Sequence, residues 1–96
     1  MNDARLKAAK DAAATFALLA YPARVVALSY LYDTMAAVPV DELAAEADVE
    51  ATAIQRALSA LRAEALVTTQ PDSRPQRWRI TERGVKLYER LEQVLP

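Results

Sequence analysis

Apolar side chains recur every three to four positions along most of this chain, and every second position in one short stretch around residue 78. From Asp3 to Ala20 the positions Leu6, Ala9, Ala13, Phe16, Ala17 and Ala20 keep helical spacing, while Lys7, Lys10 and Asp11 take other faces. Pro22 ends that helix or opens the next one at its first position. A second helix is expected from Pro22 to about Ala36. Its Val25, Val26, Leu28, Ser29, Leu31 and Tyr32 are apolar or small nearly all round, the mark of a buried helix. Val38-Pro39-Val40 reads as a short extended link. Asp41 to Ala47 forms a short third helix with Leu43 and Ala47 inward, and Asp48-Val49-Glu50 a turn. Ala51 to Ala65 forms a fourth helix with Ile54, Leu58, Leu61 and Ala65 on one stripe.

After Leu66 the period changes. Leu66-Val67-Thr68-Thr69-Gln70 is rich in β-branched residues, and Pro71 to Pro75 is a turn cluster. Gln76 to Thr81 alternates, with Trp78 and Ile80 on one face and Arg77 and Arg79 on the other. This is a β-hairpin with a basic outer face and Trp78 in the core. Thr81 fits the N-cap of a last helix, Glu82 to Leu95. Leu87, Leu91, Val94 and Leu95 give that helix an apolar stripe, which Val85 and Tyr88 widen. The expected fold is mainly α with a β-hairpin, in the order α-α-α-α-β-β-α. A short helix, a tight turn and a second helix followed by a hairpin is the winged helix-turn-helix architecture. We expect one domain over 1–96: a helix at 3–20, a helix-turn-helix at 41–65, a wing at 66–81 and a last helix at 82–95.

Composition narrows the chemistry. The 96 residues contain no cysteine and no histidine. That removes disulfides, thiolate and imidazole metal sites, and histidine-based catalysis. No cofactor or metal is called for, and we expect a protein that is not an enzyme. Glu42 and Glu46 are paired carboxylates at i and i+4, but nothing in the pattern buries them in a cleft. No run reaches the ~18 apolar residues of a membrane helix, so no membrane is expected as a partner and the cytoplasm is the default compartment. A chain this short buries a marginal core, and a dimer interface would add burial.

Charge is balanced overall, with 12 basic and 13 acidic side chains, but it is unevenly placed. Residues 1–48 hold four basic and seven acidic groups, whereas 49–96 hold eight and six. No Lys or Arg occurs from Val25 to Val49, the stretch that carries Asp33, Asp41, Glu42, Glu46 and Asp48. Two electrostatically different faces follow. On the fourth helix, Thr52, Gln55, Arg56 and Ser59 lie opposite the apolar stripe. Gln55 suits an adenine edge, and Arg56 suits guanine or a phosphate. A plain solvated helix face would use the same residue types. In the hairpin, Arg74, Arg77 and Arg79 can grip phosphates or enter a minor groove; the competing account is charge protecting an edge strand. Tyr21, Tyr30 and Tyr32 would line a small-molecule pocket or simply pack.

Four pieces of the sequence resemble a family in the right order. Leu19-Ala20-Tyr21-Pro22-Ala23-Arg24 looks like the opening motif of the ArsR-type winged-helix regulators. Val40-Asp41-Glu42-Leu43-Ala44 and Leu58 to Val67 resemble their helix-turn-helix. Trp78-Arg79-Ile80-Thr81-Glu82-Arg83-Gly84 resembles a wing-to-helix motif common to ArsR-like and MarR-like proteins. The resemblance covers about residues 16–90. It implies a homodimer held by the first and last helices, through Leu6, Ala9, Ala13, Phe16, Leu87, Leu91, Val94 and Leu95. It further implies recognition helices in successive major grooves of double-stranded DNA, and transcriptional repression. The family's metal sensors use Cys or His, which this chain lacks. Glu50 stands where the family has a Ser or Thr cap, Ala53 and Ala57 stand where it has polar residues, and Ala65 stands where glycine ends the helix.

Two functions remain from the sequence. One is a sequence-specific DNA-binding transcriptional regulator, a repressor, which signals through a small-molecule effector, a protein effector or none. The other is a winged-helix dimer that docks a protein through its acidic third helix and lacks sequence-specific DNA binding.

Overall fold

A computed structural model describes residues 3–94. The chain runs α1 (Asp3–Leu18), α2 (Pro22–Thr34), β1 (Val38–Pro39), α3 (Val40–Ala47), α4 (Ala51–Ala63), β2 (Val67–Thr69), β3 (Arg77–Ile80) and α5 (Glu82–Val94). The expected helices are all present, and Leu95 lies outside the described residues. The expected two-stranded hairpin is instead an antiparallel sheet of three strands in the order β1-β3-β2. The third strand is the Val38-Pro39 link, which pairs with Trp78 and Arg77. Pro39 has no N–H to give to a ladder and tolerates this place because β1 is an edge.

Two helices end earlier than their apolar periodicity suggests, each at a residue in the left-handed region. Met35, with φ 52°, stops α2, and its N–H returns to the Leu31 carbonyl at 3.0 Å. After α4, Ala65 takes φ 59° while the Leu66 N–H reaches back to Leu61 at 3.0 Å. This is a helix stop usually made by glycine, and an alanine there costs about 1 kcal/mol. It turns Ala65 out to solvent, off the stripe it was expected to share, and drives Leu66 into the core at 2% exposure.

The core is one cluster. Leu28 and Leu31 of α2, Leu43 of α3, Ile54, Leu58 and Leu61 of α4, and Val38, Val67, Trp78 and Ile80 of the sheet meet in it. Helix α2 runs through the middle, packing on α4, α5 and the sheet. It is less buried than its composition suggests. Ala27, Leu28 and Leu31 are buried, but Val26 stays exposed and Tyr30 and Tyr32 are only half-buried.

Among the described residues α1 takes no substantial part in this packing. The molecule measures 50 × 29 × 21 Å and has a radius of gyration of 14.1 Å. A compact body of the same length would have one of about 12.5 Å. Leu6 and Ala9 are exposed on α1, and the residue just past its end, Leu19, is buried in the core.

Candidate nucleic-acid interface

The helix-turn-helix is built by one sharp reversal. Asp48 adopts φ 54°, and its N–H and that of Val49 return to the last carbonyls of α3. A short polar side chain tolerates this conformation better than most. Val49 then packs against the core, and α4 leaves at a new angle. Glu50 precedes α4 and makes no side-chain hydrogen bond to its first turn, as expected for a glutamate in place of a hydroxyl cap.

Helix α4 buries Ile54, Ala57, Leu58 and Leu61 and exposes Thr52, Gln55, Arg56 and Ser59. Ala57 corrects one expectation. It is 4% exposed and belongs to the packed side, so its small size fits the interior and removes nothing from the polar face.

In the wing, Val67 pairs with Ile80, Thr68 with Arg79 and Thr69 with Trp78. The alternation on β3 is strict: Trp78 and Ile80 are buried, and Arg77 and Arg79 are exposed. Because β3 is the central strand, Arg77, paired with Pro39 of β1 and bonded to Gln70 on the other side, guards no sheet edge, whereas Arg79 pairs with Thr68 alone and lies past the end of β1. The connecting turn is held by Ser73, whose hydroxyl donates to the Gln70 carbonyl at 2.9 Å and accepts the Arg77 N–H at 3.0 Å. Arg74 projects from this turn, exposed. Among the described residues none of Arg56, Arg74, Arg77 and Arg79 joins an ion pair.

Helix and wing meet across an open notch of about 220 Å³ lined by Pro39, Val40, Asp41, Gln55, Pro75 and Gln76. The notch joins α4's polar face to the wing. Gln76 therefore belongs to the same surface as Gln55, which its position before β3 did not reveal. Asp41 belongs there too, so a negative charge stands beside α4.

The remaining carboxylates of the acidic stretch, Asp33, Glu42, Glu46 and Asp48, are exposed, as is Glu50. The Tyr30 hydroxyl donates to Glu42 Oε2 at 3.1 Å. Partial burial first, then this bond and the charges of Glu42 and Glu46, hold the Tyr30 hydroxyl above its ordinary pKa of 10.0. The three tyrosines meet three different neighbours. Tyr21 is exposed against the Arg24 guanidinium, 4.3 Å from its ring centre. Tyr30 turns to α3, and Tyr32 stacks on Tyr88 of α5 with ring centres 4.6 Å apart. Tyr88 also donates to the Ser29 hydroxyl at 2.9 Å.

Of the residues expected on a dimer face, Leu6 and Ala9 are exposed, and Leu87 and Leu91 are half-buried against the chain's own core. The side chains of Ala13, Phe16 and Val94, like Leu95, lie outside the described residues.

A helix-turn-helix followed by a two-stranded wing, which the strand before it joins in one sheet, and a closing helix defines a winged helix. No family model and no curated protein matches the sequence. Solved structures do match. The transcriptional repressor BigR from Xylella fastidiosa has a TM-score of 0.84 at 21% identity, over 99% of this chain and 93% of its own. A MarR-family transcriptional regulator from Silicibacter pomeroyi is 32% identical over 81% of this chain, with a TM-score of 0.71, and this chain spans about half of it, 53%. A homodimeric winged helix-turn-helix DNA-binding domain from Mycobacterium bovis, described as a possible ArsR-family transcriptional regulator, is similar at 23% identity. Its TM-score is 0.71, over 98% of this chain and 85% of its own. This chain has the winged helix-turn-helix fold and is similar to these ArsR- and MarR-type proteins, which are described as transcriptional regulators or, for the Mycobacterium bovis domain, as a possible one. Among the described residues no helix is long and apolar enough to cross a membrane.

Proposed function

We propose that this chain is a sequence-specific double-stranded DNA-binding transcriptional regulator, a repressor, working as a homodimer. One observation carries the reading: the polar face of α4 meets the wing turn across the notch at Gln55, Pro75 and Gln76, and the exposed arginines that flank that turn and continue along β3, Arg74, Arg77 and Arg79, join no ion pair among the described residues. Gln55 and Arg56 read base edges in the major groove, with Thr52 and Ser59 in weaker support. Arg74, Arg77 and Arg79 hold phosphates or the minor groove. On this reading 41–65 is the helix-turn-helix and 66–81 the wing, while 3–20 and 82–95 carry the dimer contact within one domain. Leu6 and Ala9, exposed on α1, support that contact, and the Mycobacterium bovis relative is homodimeric. Such a dimer reads half-sites about one helical turn, ~34 Å, apart. Light scattering of the purified chain tests the dimer. A footprint on the DNA upstream of its own gene tests the rest: a protected two-fold symmetric site is expected, and uniform weak protection contradicts it.

Asp41 beside Gln55, with Glu50 at the start of α4, favours a second reading, a module that docks a basic protein surface through α3. Reversing Asp41 and Glu42 to lysine separates the two. On the DNA reading binding to DNA tightens; on the docking reading capture of a partner is lost and DNA binding stays absent.

A further inference from the structure

Thr81 sits where the end of α4, the start of β2, the end of β3 and the start of α5 converge. Its hydroxyl lies 2.7 Å from the Ala65 carbonyl and 3.0 Å from that of Leu66, and it accepts the Gly84 N–H at 3.0 Å. Its own N–H donates to the Leu66 carbonyl at 3.0 Å. The single hydroxyl proton goes to the α4–β2 corner, while the oxygen caps α5. Gly84 completes the joint. A Cβ there would run into the Leu66 carbonyl oxygen and stand 2.7 Å from Ile80 Cγ1. The only other polar tie from α5 to the body is Tyr88 to Ser29, among the described residues.

We infer that Thr81 is a positioning residue that fixes the angle between the recognition helix and α5, and through it the separation of the two recognition helices in the dimer. The inference rests on the dimeric DNA-binding reading above. The lever makes the joint consequential. The thirteen residues of α5 span about 20 Å, so a swing of ~10° at Thr81 moves the far end by ~3.5 Å, close to one base-pair step. A valine at 81 fills the same space and holds neither bond. An aspartate keeps the cap, since its carboxylate accepts the Gly84 N–H, but has no proton for the Ala65 carbonyl.

The chain has no cysteine, so Thr52→Cys gives a single spin-label site on the exposed face of α4. The distance between the two labels in the DNA-free dimer is read by pulsed electron resonance, with circular dichroism to check folding. Unaltered Thr81 and Thr81→Ser should give one narrow distance. Thr81→Val and Thr81→Asp should broaden it about twofold. Should the valine variant fail to fold, the aspartate variant carries the comparison. On operators with half-sites moved one base pair apart, the unlabelled protein with Thr81 should lose roughly tenfold in affinity and Thr81→Asp roughly twofold, as expected when a geometric restraint is relaxed. An unchanged width in Thr81→Asp means that Thr81 only caps α5, and overturns the inference. So does the absence of any distance between protomers. Sharp distances in a protein that binds no operator would instead sink the DNA reading and leave the joint's geometric role standing.

Discussion

Across the notch at Gln55 the α3 face and the wing confront each other, and they differ in both charge and construction. The α3 side carries Asp41, Glu42 and Glu46 on a helix that buries Leu43 and Ala44. One of its carboxylates, Glu42, is already engaged by Tyr30. The wing side carries Arg77 and Arg79 on a strand that buries Trp78 and Ile80, and neither arginine has an ionic partner among the described residues. The same device, one buried face and one free face, thus yields an acidic surface partly satisfied within the chain and a basic surface left uncommitted. Uncommitted cations in water contribute little to folding. Their physical use is toward an anion outside the chain, and the acidic side confines that anion to α4 and the wing.

The largest expected effect comes from erasing the basic side. Arg77→Ala with Arg79→Ala should weaken DNA binding roughly 30- to 100-fold for every sequence, and lower the salt slope by about 2. Thermal stability should barely move, because both side chains are exposed. Gln55→Ala acts differently. It should cost about 10-fold or more on the preferred site and almost nothing on a scrambled duplex, since a bidentate amide contact discriminates by ~1–3 kcal/mol. Equal losses on both duplexes would contradict this division between reading and gripping.

Removing the opposition should help binding. Asp41→Lys with Glu42→Lys should tighten DNA binding several-fold at low salt, an advantage that fades as salt screens it. Glu50→Ser should add about 1 kcal/mol of stability by supplying the missing helix cap, read as a higher urea midpoint, and should modestly tighten DNA binding.

The smallest effect is a pH signature of Tyr30. Its folded pKa is raised, so the unfolded chain ionises first, near 10.0. The stability held by the protonated hydroxyl is present below that pH and is lost as pH rises through the folded value. Tyr32 is raised as well, so Glu42→Gln should bring one of two late-titrating tyrosines, followed by absorbance near 295 nm, part of the way back toward the ordinary value.

Much of this was legible in the sequence because periodicity reports burial directly. Every helix, the alternation at Trp78 and the Thr81 cap followed from spacing alone. The third strand did not. Val38-Pro39 is too short to show a period, and its pairing depends on where β3 arrives. That one contact changed the meaning of Arg77, by giving β3 a second neighbour there. Helix ends were misjudged by a residue or two because Met35 and Ala65 occupy a conformation their side chains do not advertise. The notch was invisible for a similar reason. Asp41, Gln55 and Gln76 are distant in the chain, and only the folded corner brings them together.

The central claim is that α4 and the wing form one DNA-reading surface. It is tested most directly by a fluorescence-anisotropy titration of the purified protein against the duplex upstream of its own gene and a scrambled duplex, each at two salt concentrations. The account predicts tight binding to the first, at least tenfold weaker binding to the second, and a steep loss of both with salt. Equal and weak binding to both, vanishing at physiological salt, would contradict it.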